Sequence, residues 1–184
     1  MKIPWKKIKR NQFLWVFVGY FTLLSILRFR LDWGLIWWWL GGILGVLMDY
    51  ADRLVYVYYV KPNDPLSLAI KRLVKKRKYK ISYIAFQNRG FEQQHLALHS
   101  ILFLIVWIVI ALYVITSSGS MLAAGLILGL GLQLLFDMLK DYQNSKKLKA
   151  WLFWQIKRPI SDTELKVCMA AYIGAFILMS GMMI

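Results

Sequence analysis

The chain has 184 residues, 59% of them hydrophobic, and 24 Lys and Arg stand against 9 Asp and Glu. That apolar share, with a mean hydropathy of +0.51, excludes an ordinary soluble domain. The single cysteine, Cys168, excludes an internal disulfide and a cysteine metal cluster.

Apolar runs long enough to cross a bilayer predict an all-α fold. The expected architecture is a polytopic membrane helix bundle of about five transmembrane helices, forming a single integral membrane domain over residues 1–184. The first span is expected over Phe13 to Leu27 and retained, since no small-residue cleavage site follows it. The second runs from Trp33 to about Tyr50, with Asp49, Asp52 and Arg53 interrupting its apolar run ahead of the aromatic stretch Tyr56 to Tyr59. A basic segment over 61–90 follows. Within it, Asp64-Pro65 is a helix-start signal, and Leu66, Ile70, Leu73 and Val74 recur at helical spacing among Lys71, Arg72, Lys75 and Lys76. This pattern predicts a basic amphipathic interfacial helix on the membrane surface, with a solvated basic loop as the plainer alternative. The third span is expected over Leu96 to Thr116, the fourth over Met121 to Leu139 and the fifth over Leu165 to Ile184. Ser161 and Glu164 have capping-box spacing ahead of the last.

All but Arg28 and Arg30 of the 24 Lys and Arg fall on one side of this topology. By the positive-inside rule, the N-terminus is then cytoplasmic, in a multi-pass protein of a bacterial inner (cytoplasmic) membrane. The net charge of +15 lies between the apolar runs, so anionic membrane lipids are the expected partner and nucleic acid is not. Gly41/Gly45 and Gly125/Gly129 have GxxxG spacing, which predicts close approach of the second and fourth spans.

The ionisable residues gather at one depth. Asp49 and Asp52 end the second span, His95 and His99 open the third, and Asp137 and Asp141 end the fourth. His95 and His99 are spaced i, i+4, as are Asp137 and Asp141, so each pair on a helix faces one ligand. Steps of four lead from Gly45 to Asp49, and from Gly129 through Gln133 to Asp137. The acids therefore continue the glycine seams toward the bundle interior. Imidazole with carboxylate suits a divalent metal such as Zn, Mn or Fe, with Asp49, Asp52, His95, His99 and Asp137 as candidate ligands. Glu92 and Asp141 are candidates to complete the site or act as general base. A plainer reading uses the same residues: aspartates at helix ends facing water, Asp49 and Arg53 as an i, i+4 ion pair, and histidines as interfacial anchors.

The motifs add a resemblance. Gly41 to Asp52 forms a glycine-rich helix ending in two acids. Asn88-Arg89-Gly90, His99-Ser100, Gln133 to Asp137 and Leu152-Phe153-Trp154 follow in order. In this the chain resembles the bacterial membrane-bound metal-dependent hydrolases, the YdjM-like family, over roughly residues 40 to 160. Gln133 and Asn88 stand where that family carries histidine. The acids are spaced Asp-x-x-Asp instead of Asp-x-Asp, and an insertion separates Arg89-Gly90 from His99-Ser100. The resemblance implies phosphoester hydrolysis at a helical metal site on the cytoplasmic face, with phospholipid as one substrate class. The alternative is a non-catalytic membrane protein, lipid-binding or scaffolding, that keeps the fold. A transporter ranks third, because the charges cluster at one face and no internal repeat is visible.

Overall fold

The computed structural model describes residues 10–28, 33–78, 81–82 and 96–184. Glu92 and His95, both sequence candidates, lie outside the described residues, as does Asn88-Arg89-Gly90. The fold is all-α. Its helices are α1 (Arg10–Arg28), α2 (Gly34–Val55), α3 (Pro65–Lys75), α4 (Ile101–Tyr113), α5 (Met121–Asp141), α6 (Ser145–Leu152) and α7 (Asp162–Met182). One-turn π-helical extensions, Tyr56–Val60 and Val114–Ser118, prolong α2 and α4.

Four of these units are long and apolar enough to cross a membrane: Gly34–Val60, Ile101–Ser118, Met121–Asp141 and Asp162–Met182. The first helix is apolar over Gln12–Arg28, at the short limit of the range that spans hydrocarbon.

The centre of the bundle is α5, buried around most of its circumference, as expected of a helix that is apolar all round from Met121 to Leu132. Its closest partner is α2, which runs parallel to it. A Cβ on Gly41 or Gly45 would overlap the backbone of α5, and one on Gly125 or Gly129 would overlap that of α2. The two backbones therefore touch directly along the seam that the glycine spacing predicts. Two further contacts pin α5 to its other neighbours. The Trp107 indole donates to the Ile127 carbonyl at 2.8 Å, and the Tyr172 hydroxyl donates to the Gly131 carbonyl at 3.0 Å. Neither carbonyl is far from a glycine in α5, where aromatic rings can reach the backbone. Phe21 of α1 lies over Gly42 and meets Trp38 with ring centroids 4.8 Å apart.

Three expectations need correction. Asp49, Asp52 and Arg53 do not end α2. The helix continues through them to Val55 and the π turn, because Arg53 pairs with Asp49 and Asp52 accepts a backbone N–H laterally. The helix over the third span begins at Ile101 and not at Leu96. Residues 97–100 form a bend, with Ser100 as N-cap accepting from the Phe103 N–H at 3.1 Å. His99 therefore precedes the helix and lies on the bend. The amphipathic helix forms where predicted, and Asp64 caps it by accepting from the Leu66 N–H at 3.3 Å. Its apolar face, however, is not turned to lipid. Leu66 and Ile70 are buried against Val57, with Tyr50, Leu54 and Val74 packed around them. Burying that stripe against α2 and its π extension removes the same apolar area from water that lipid insertion would.

One helix is not legible from apolar periodicity: α6 forms between the fourth and fifth spans, capped by Asn144, which accepts from the Lys147 N–H at 3.2 Å. The capping box opening α7 forms as its spacing predicts. Ser161 N–H donates to Glu164 at 2.9 Å, and Glu164 N–H donates to the Ser161 hydroxyl at 3.1 Å.

Candidate metal centre

Three elements deliver one candidate ligand each. Asp49 comes from α2, Asp137 from the last turn of α5 and His99 from the bend before α4. The parallel glycine seam sets the first two at a common depth. Asp52 sets the third: its two carboxylate oxygens accept the N–H groups of Ala97 at 3.3 Å and Leu98 at 2.9 Å. That pair of bonds anchors the chain directly ahead of His99.

His99 is 4% exposed and Asp49 is 8% exposed, so neither is a water-facing helix-end residue. Asp137 is half-buried. The His99 Nε2 lies 3.4 Å from Asp49 Oδ1 and 3.5 Å from Asp137 Oδ2. Each of the three side chains offers a ligand atom to a set lying within 4.8 Å of one another. They form a buried group of the kind that can hold a metal ion.

The donor chemistry fits such an ion. Bonds of 2.0–2.2 Å around a tetrahedral centre put neighbouring ligand atoms about 3.4 Å apart. The two imidazole-to-carboxylate separations match that spacing. Asp49 Oδ1 is also a buried acceptor with no hydrogen-bond donor among the described residues. A buried carboxylate oxygen left without a donor is costly, and a cation relieves it.

Arg53 shares the site. Its Nε donates to Asp49 Oδ2 at 3.1 Å, and its Nη2 lies 3.7 Å from Asp137 Oδ2 and 3.4 Å from His99 Nε2. The i, i+4 ion pair with Asp49 was legible from spacing. The reach across to Asp137 was not, because it depends on the register of α2 against α5. Gln133 supports Asp137 by donating from Nε2 at 3.1 Å, and its own Oε1 is buried without a partner among the described residues. Trp151 of α6 closes the site from the side, edge-on to the His99 ring at 5.1 Å.

Asp52 and Asp141 stand beside this group and not in it. Asp52 is engaged by the backbone as described. Asp141 accepts from Lys147 Nζ at 2.8 Å and from the Trp151 indole at 3.2 Å, so it positions the ring that packs on His99.

No protein-family model, no curated protein and no solved structure matches this chain.

Proposed function

We propose that this protein is a metal-dependent hydrolase working at the cytoplasmic face of a bacterial inner membrane, on a phospholipid or another membrane-associated phosphoester. The observation that carries this reading is the convergence of Asp49, His99 and Asp137 at 3.4–3.5 Å, from three separate parts of the chain. The motif order and helix placement in which the chain resembles the YdjM-like hydrolases include these three residues and support the reading. The membrane and its sidedness rest on the apolar spans and on the one-sided Lys and Arg distribution.

Asp49, His99 and Asp137 would hold the ion, with Zn, Mn or Fe as the metals this donor set suits. When bound there, a divalent ion would supply Lewis acidity toward a phosphoryl oxygen. The protein's own residues do the rest. Gln133 fixes the Asp137 carboxylate, Asp52 fixes the approach of His99, and Trp151 shields the imidazole edge from water. Of the two acids suggested as general base, Asp141 has both oxygens engaged, and we assign it to holding Trp151. Glu92 keeps the base role as a sequence-level assignment. Metal content by mass spectrometry tests the reading on detergent-purified protein. Stoichiometric Zn, Mn or Fe is expected in the wild type and absent from an Asp49→Ala/His99→Ala double variant. Metal-free, fully folded wild-type protein would leave the second reading.

That second reading is a non-catalytic membrane protein binding anionic lipid. It is favoured by Arg53, whose guanidinium reaches both carboxylates and offsets their charge. Under either reading the polar face of α3 meets lipid headgroups, because Arg72, Lys75 and Lys76 are exposed while the apolar face is buried. Each basic residue near an anionic surface contributes on the order of 1 kcal/mol. Replacing these three with Gln is expected to cut retention of phosphatidylglycerol over phosphatidylcholine, read by native mass spectrometry, by roughly 100-fold. Equal retention would remove α3 from the lipid-binding surface.

A further inference from the structure

The metal reading leaves Arg53 in an unusual position, since its guanidinium already serves two carboxylates that an ion would use. Its hold on them is uneven. The Nε–Asp49 bond is 3.1 Å, whereas the Nη2 approaches to His99 and Asp137 are 3.4 and 3.7 Å. Charge-assisted N–H···O bonds are normally about 2.7–2.9 Å, so the distal end of the guanidinium is weakly held. That distal nitrogen faces His99 Nε2 and Asp137 Oδ2, the two atoms that would carry the ion. The anchored Nε uses Asp49 Oδ2, which leaves Asp49 Oδ1 open.

Charge counting gives the consequence. Asp49, Asp52 and Asp137 against Arg53 and Lys140 sum to one net negative charge with His99 neutral. A divalent cation converts that to one net positive charge in a pocket of low exposure. Such a site calls for an anion, since buried charge is stable only when compensated. A planar guanidinium matches the oxygens of a tetrahedral oxyanion.

We infer that Arg53 is an anion-binding residue of this site, whose distal nitrogens exchange Asp137 and His99 for a phosphoryl oxygen when a divalent cation takes those two ligands. The inference rests on the proposed metal site and gives it a substrate chemistry: a phosphate monoester or diester, in a lipid headgroup or free. Cation and anion then bind cooperatively, because each supplies the charge the other needs.

The test is a titration of metal-stripped full-length protein in detergent with Mn2+, and in parallel with Zn2+. It is run without anion, with inorganic phosphate, and with a short-chain phosphatidic acid. In the wild type, the anion is expected to tighten metal binding by about 5- to 150-fold, the usual range of coupling between linked sites. In Arg53→Met, metal binding without anion is expected to be retained or tightened, and the coupling to fall close to unity. Arg53→Lys keeps the charge without the fork and is expected to keep only part of the coupling, which preserves the test if Arg53→Met does not fold. Coupling from both anions assigns the phosphoryl group alone, and coupling from phosphatidic acid alone assigns a lipid headgroup. Coupling in the variants equal to that in the wild type, or no coupling in a metal-binding wild type, overturns the inference and spares the metal site. Absence of metal binding in folded wild type overturns both.

Discussion

Gly129→Leu is expected to destabilise the protein and abolish metal binding, although the residue lies two turns from the nearest ligand. A Cβ there would overlap the Gly42 carbonyl oxygen and sit 2.8 Å from the Gly42 Cα. Those atoms are backbone, so no side chain can rotate away, and α2 and α5 must separate. Overpacking of this kind costs about 1–3 kcal/mol and occasionally more. Asp137 lies eight residues further along α5, roughly 12 Å at the helical rise. Splaying at the seam propagates to the distance between Asp49 and Asp137. Gly174→Leu is the matched control, because a Cβ at Gly174 meets nothing within 4 Å. Thermal unfolding in detergent and metal content together check this. A Gly129→Leu protein that melts with the wild type and keeps its metal would disprove the link between seam and site.

The second large effect is expected at Asp137. Asp137→Asn keeps size and shape, and retains an acceptor for Gln133, but removes the carboxylate charge. Disturbing an outer-shell partner typically costs about 10- to 100-fold in metal affinity or activity. Loss of a ligand of the proposed site should exceed that, so affinity is expected to fall at least ~100-fold and the proposed phosphoesterase activity to reach background. Folding should survive, since Arg53 keeps its 3.1 Å bond to Asp49. Circular dichroism and the metal titration read the two effects separately. A folded Asp137→Asn variant that still binds the ion and hydrolyses substrate would exclude Asp137 as a ligand.

The two expectations draw on different kinds of information. The glycine seam is legible as spacing, and the steps of four from Gly129 through Gln133 to Asp137 point the acid inward on sequence grounds. The apolar spans, the Asp64-Pro65 start of α3 and the Ser161/Glu164 box are equally local. Cap chemistry acts within a turn, and hydrophobic periodicity within one element, so neither depends on distant residues. The shared depth of Asp49, His99 and Asp137 was legible for the same reason, since depth follows from position along a span.

What escaped the linear reading depends on contacts between residues far apart in the chain. The start of α4 shifts to Ile101 because Asp52 claims the N–H groups of Ala97 and Leu98. The apolar stripe of α3 is covered by Val57 and its neighbours because α2 runs on past its acids. Trp151 reaches His99 through an α6 that no periodicity announced. Arg53 meets Asp137 because two helices without side chains at their contact run parallel in one register. Periodicity and capping thus set which helices form and how deep each charge sits. The pairing of those charges was left to helix register and lateral hydrogen bonds, whose free energy exists only once the bundle has closed.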